Sequence, residues 1–260
     1  MHHFTSHAYQ TLPGSDETKR IWGFAVPQEA FKYDYLLHSL LAFSSNHLAY
    51  INPSRATYFR MAAAAHQSAA LKSLRQAIMD IGPMNCHAIF ASATLAVMNA
   101  FAAAREYNPD VLVEIIRLVR GIDIVVMNLA HLLLSGPFAS IIKPAMNLPK
   151  TPSLLYTFLL EIHALRCSAS ANPSESSPAI VKAIELLRIA LQCSIQVCPH
   201  PALRALMTWP ITLDTDFVET LRNRHHPYIR ALLKQYCQLL EYSSVEYWFL
   251  SEWKGISQKL

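Results

Sequence analysis

The chain has 260 residues, 52% of them hydrophobic and only 15% charged, and its 22 basic and 18 acidic side chains leave a net charge of +4. A chain of this length can bury a sizeable core, which excludes a mini-domain held together by metal or disulfides. The low charge content, the six glycines and the scattered basic residues exclude a disordered tail, a turn-rich β-sandwich and a DNA-binding arm.

Apolar residues recur at helical spacing in nearly every segment, and the breaks fall at proline or glycine beside small polar residues. The sequence therefore predicts an all-α protein, a single multi-helix bundle of about ten to twelve helices in one domain, residues 1–260. Tyr33, Leu36, Leu37, Leu40 and Leu41 share one face of a helix that Asn52-Pro53 ends, because proline has no amide hydrogen and bars its predecessor from the helical basin. Ser54 is the expected cap of the next helix, which carries Leu71, Leu74 and Ile78 and stops at Gly82-Pro83. Another helix opens at Asn85, and a further one at Asn108-Pro109-Asp110 turns Leu112, Ile115, Ile116 and Val119 inward, leaves Glu114 and Arg117 in water, and has Gly121 as a candidate kink.

Two stretches, Cys86 to Ala104 and Ile124 to Ile142, each run 19 residues without Asp, Glu, Lys or Arg. His87, Ser92, Thr94 and Asn99 in the first, and the Ser135-Gly136-Pro137 break in the second, favour core helices over membrane spans. From Thr151-Pro152-Ser153 a helix carries Leu155, Phe158, Leu159 and Ile162 towards Ala171. Asn172 to Pro178 is a connector, and Ile180, Ile184, Leu187 and Leu191 stripe the helix beyond it. Asp214 and Asp216 stand at a helix start, where carboxylates cap free amides. Two last helices carry Ile229, Leu232, Leu233, Tyr236 and Leu240, then Val245, Trp248, Phe249 and Ile256.

Signatures of catalysis fail in turn: there is no phosphate-cradling glycine loop, nucleophile elbow, H-E-x-x-H or magnesium-binding aspartate run. Cys193, Cys198 and His200 are three zinc-ligand types without a fourth nearby, so neither metal nor cofactor is expected. The five cysteines, an odd number, and the lack of an apolar stretch in residues 1–14 point to free thiols in a reducing, intracellular setting. His131 and His163 are the histidines expected to face an interior. The aromatic and methionine side chains could line an apolar pocket between helices, although an ordinary core would use the same residues.

The chain opens with Met1-His2-His3-Phe4-Thr5-Ser6, then Ile21-Trp22 and Val26-Pro27-Gln28-Glu29-Ala30-Phe31, and reads YLLHSLLAFSSNHLA from Tyr35 to Ala49. Tyr58, Ala65-His66-Gln67, Ala70-Leu71, Leu118-Val119-Arg120-Gly121, Trp209-Pro210, Leu221-Arg222, Pro227 and Trp248 to Gly255 follow in order. In that order these motifs resemble the C-terminal regulatory domain of fungal binuclear zinc-cluster transcription factors of the sterol uptake control type, along nearly the whole chain. Phe43 and Asn46 depart from it, standing where the family has small or aliphatic residues, and Tyr247-Trp248 stands where it often has two tryptophans.

The resemblance implies a helical domain that binds a hydrophobic small molecule of the sterol or terpenoid class between helices and acts through protein partners or as a homodimer, in the nucleus or cytoplasm. Family members read DNA with a six-cysteine zinc cluster. Here Cys86 is the first cysteine, so no direct nucleic-acid contact is expected from this chain. Apolar position nominates Phe43, Phe90, Met98, Met127, His131, Phe158, His163 and Trp248 as ligand-lining. One alternative is a biosynthetic-cluster enzyme, a cofactor-independent cyclase or pericyclase folding a hydrophobic intermediate in the same pocket with His131 and His163 as catalytic groups. Another is a helical adaptor with no ligand.

Overall fold

A computed structural model describes the backbone of residues 1–104, 109–142, 152–223 and 225–259; the side chains of 109, 123–130, 140 and 142 lie outside the description. The described residues form thirteen α-helical segments joined by short 3-10 turns, with no strand among them. The all-α expectation is borne out. Where the sequence reading treats the chain as one domain, its contacts gather into two compact units.

The first unit begins with α1 (His2–Ser6), α2 (Asp16–Arg20) and α3 (Val26–Ala30), the last two joined through a π-helical turn, Ile21–Ala25. That turn buries Trp22 and passes Gly23 so close to Tyr9 that a Cβ would stand 2.6 Å from its ring and force the ring to shift. The body consists of α4 (Asp34–Ile51), α5 (Ala56–Met79) and α6 (Cys86–Ala103). Ala56, Ala63 and Ala70 recur at heptad spacing on the buried face of α5, and such small side chains let helix backbones approach closely. α4 packs along α5, and α6 packs against both.

α6 is apolar and long enough to cross a membrane, yet 78% of it is buried inside the protein, so it is a core helix as its polar residues suggested. The other apolar stretch lies partly outside the described residues.

A chain of polar side chains runs through the α4–α5–α6 core. Asn46 Nδ2 donates to Asn99 Oδ1 at 3.1 Å, and Asn99 Nδ2 donates to the Ser39 carbonyl and to Gln67 Oε1, each at 3.2 Å. Gln67 Nε2 in turn donates to the Ala96 carbonyl at 2.9 Å. The Ser39 and Ser92 hydroxyls lie 2.8 Å apart and reach the Tyr35 carbonyl at 2.9 and 3.2 Å. Asn46 is thus buried with a partner supplied, since a buried amide costs little once its hydrogen bonds are made.

α7 (Pro109–Ser135) is helical through Gly121 and buries Leu112, Ile115, Ile116 and Val119 while Glu114 and Arg117 stay exposed, as its spacing predicts. Its first turns belong to the second unit and its later turns, with α8 (Ala139–Ile142), to the first. The rest of the second unit is α9 (Ser153–Ala171), α10 (Pro178–Val197), α11 (Pro201–Thr212), α12 (Thr215–Thr220) and α13 (Pro227–Ser243), together with the chain end. Ser177 caps α10, its hydroxyl accepting the Ile180 amide at 3.4 Å. α10 packs between α9 and α11. Buried Trp209 donates its Nε1 to the Ala183 carbonyl at 2.9 Å, and Tyr236 its hydroxyl to the Leu206 carbonyl at 3.0 Å, so each large ring carries its polar atom inward satisfied.

Three local expectations are corrected. Ser54 caps nothing: Pro53–Arg55 forms a 3-10 turn and α5 begins at Ala56 behind Arg55, because the proline ring starts a turn one step before the helix. The Asp214 side chain makes no cap hydrogen bond at α12 and instead pairs with Lys182 at 2.9 Å. The last segment is not an α-helix but two 3-10 turns, Trp248–Trp253 and Ile256–Gln258, separated by Gly255 at φ +72°; Phe249, Trp253 and Ile256 are buried while Val245 is 84% exposed.

Replacing Asn99 by Ala leaves the Asn46 amide and the Gln67 oxygen buried without it. Urea unfolding should show a loss of about 1–3 kcal/mol, while Thr94→Ala, whose hydroxyl bonds only its own helix at Phe90, should cost much less.

Candidate functional site

The face that α9 turns towards the core carries Leu155, Phe158, Ile162 and Ala169. A second stripe, Tyr156, Leu159, Leu160 and His163, lies beside it at i, i+3, i+4 and i+7. On α10, Arg188, Gln192, Ile195 and Gln196 occupy the matching spacing. Together these eight side chains line a groove of about 400 Å³. Tyr156 is 51% and Leu160 70% exposed, so the apolar wall is open to solvent.

The polar edge is already paired. Arg188 Nε and Nη2 donate to the two carboxylate oxygens of Glu185 at 2.9 and 2.7 Å, a two-point fork, and Nη1 donates to Gln192 Oε1 at 2.6 Å. The hydrogen bond from Arg188 holds the Glu185 carboxyl below the usual carboxylate range. Arg166 Nε stands 3.3 Å from the same carboxylate. At one end of the groove His163 Nε2 is 3.6 Å from the exposed Cys167 thiol.

Of the residues nominated from the sequence, His163 lines this groove. Phe158 turns into the core of the same unit, edge-on to Tyr242. Phe43, Phe90 and Met98 are buried in the first unit, where half-buried Trp248 meets Phe43 at 5.1 Å and donates its Nε1 to Thr11 Oγ1 at 2.8 Å. Met127 lies outside the described residues. His131 and His163 are both exposed, correcting the expectation that they face an interior, and they belong to different units. The sequence around His131 is apolar on every side, so periodicity left no inner face to read.

The histidines that are enclosed are others. His3 Nε2 lies 2.8 Å from His47 Nδ1, tying α1 to α4, and the Nδ1 atoms of His38 and His66 are 2.9 Å apart between α4 and α5. In each pair one ring donates and the other accepts, so at least one is neutral. Burial, then the charges of His3 and His7, push His47 down to about 4, and burial likewise lowers His3 and His66. No repeat or spacing announces these contacts, since His3 and His47 are far apart in the chain. Among the described residues no group of three or more His, Cys, Asp or Glu could hold a metal ion. Cys198 Sγ instead accepts the His200 amide at 3.4 Å.

Because His47 binds its proton less readily folded than unfolded, its contribution is complete above about pH 6.5 and is lost as pH falls towards 4. Thermal melts between pH 7 and 4 should show falling stability, and His47→Gln should remove part of that slope; an unchanged slope would mean that the pair holds nothing in place.

Residues 1–118, covering α1 to α6 and the first turns of α7, match the model of the fungal specific transcription factor domain. The chain is 33% identical over 104 residues to Sterol uptake control protein 2 of Saccharomyces cerevisiae and 33% identical over 105 residues to the protein of the same name in Candida albicans, each match covering 40% of this chain. A Zn(2)-C6 fungal-type transcription factor of Aspergillus fumigatus is 42% identical over 59 residues, 22% of this chain. The chain spans only 11%, 14% and 16% of these three relatives. The α9–α10 groove lies beyond the 118 residues of the family match.

Proposed function

We propose that this chain is a ligand-responsive regulatory region that binds a hydrophobic small molecule of the sterol or terpenoid class in the α9–α10 groove and relays its occupancy to protein partners or a second copy of itself, in the nucleus or cytoplasm. The observation that carries the reading is the groove: its volume of about 400 Å³ falls in the ~300–1,000 Å³ range of small-molecule sites, and it combines an apolar wall with a few polar groups at one edge. The names of the relatives, two of them sterol uptake control proteins, support the ligand class. Promoter contact is assigned to a segment or partner outside these 260 residues, which contain no six-cysteine cluster.

For occupancy to regulate, the ligand must prefer one conformation of the chain, since equal affinity for both shifts nothing. Leu160 is 70% exposed on the groove wall, so Leu160→Glu places a charge there without disturbing the core. Titration with farnesol and with a fluorescent sterol should show binding to the unaltered chain and a loss of about tenfold or more in the variant, worth ~1.4 kcal/mol. Equal binding by both chains would place the ligand elsewhere.

A further inference from the structure

Resting on the groove as the ligand site, the geometry points to its selectivity: we infer that it admits apolar molecules bearing an uncharged hydroxyl or carbonyl group and rejects carboxylates of the same skeleton. The inference comes from what Arg188 is doing. It is the one cation in the lining, and an open guanidinium fork would make the groove a fatty-acid or terpenoid-acid site, because its parallel donors match a carboxylate. Here the fork is closed by Glu185, at 2.9 and 2.7 Å, and the third nitrogen is taken by Gln192 Oε1 at 2.6 Å. Arg166, outside the lining, leans on the same Glu185 and directs Nη2 to Cys167 Sγ at 3.7 Å. An entering carboxylate would have to displace Glu185 or stand beside it as a second negative charge.

The same hydrogen bonds fix what the groove offers instead. Arginine has no acceptor, so Gln192 must turn its oxygen to Arg188, which leaves its Nε2 hydrogens as donors. With the Gln196 amide, the His163 ring and the Tyr156 hydroxyl, the polar edge becomes a set of donors for one alcohol or carbonyl oxygen at the end of an apolar body.

The test is fluorescence titration of the full chain with farnesol and farnesoic acid, at neutral pH where the acid is ionised. The alcohol should bind about tenfold more tightly or better. Glu185→Gln opens the fork and should narrow that ratio by about fivefold or more, with the helical circular dichroism unchanged. The paired variant Arg188→Leu with Glu185→Leu covers the case in which changing Glu185 alone disturbs the helix: it removes the guanidinium and the carboxylate together, so the ratio should narrow without loss of acid binding, since in the native chain neither probe uses the guanidinium. The inference is overturned if the acid binds the unaltered chain as tightly as the alcohol, if Glu185→Gln leaves the ratio where it was, or if the paired variant selectively abolishes acid binding. Failure of both probes to bind the unaltered chain would instead overturn the groove as a ligand site, and the selectivity with it.

Discussion

The first unit depends on one constraint: amide side chains buried among helices must find each other. Asn46 on α4, Gln67 on α5 and Asn99 on α6 form a single run of hydrogen bonds that ends on the backbone at Ser39 and Ala96. Hydrophobic burial is indifferent to a slide of one helix along another, because an apolar face fits several registers with similar area. The amides are not indifferent, since each displaced partner leaves a polar atom without water or protein to bond. The alanines of α5 bring the helices together, and the amides decide where along their length they stop.

In the second unit charge is handled by pairing at the rim. Arg188 is spent on Glu185 and Gln192, Lys182 on Asp214, and Arg222 reaches Asp110, Glu114 and Glu219. Exposed pairs of this kind add little stability singly. Their consequence is local: each basic side chain is held against a carboxylate, and beside the groove Glu185 occupies two nitrogens of Arg188.

The core stripes of α7 and α10 were legible because each has one apolar side and one wet side, whereas on α4 the stripe read from spacing keeps only Leu36 and Leu40 fully buried, with Tyr33, Leu37 and Leu41 half-buried. α11 was not read as a helix, since Pro201 and Pro210 bracket it and its middle is apolar without a contrasting face. The C-terminal turns were misread because Val245, Phe249 and Ile256 mimic helical spacing, while Gly255 takes a left-handed conformation that spacing does not encode. His163 was singled out for the wrong reason, as an interior group, and proves to be an exposed one on a groove wall. Its neighbours Arg188, Gln192 and Gln196 were passed over because polar residues on an amphipathic helix ordinarily face water.

Taken alone, the amino-acid order determined the helical class, most helix boundaries and the similarity of the opening segment to fungal transcription factor domains, for these rest on local periodicity, proline geometry and motif order. Only the tertiary structure decided that Asn46 meets Asn99, that His3 meets His47, and that a second stripe on α9 faces α10 across a groove. Such pairings join residues distant in the chain, and their energies come from exclusion of water and from hydrogen-bond geometry, neither of which exists until the helices are packed.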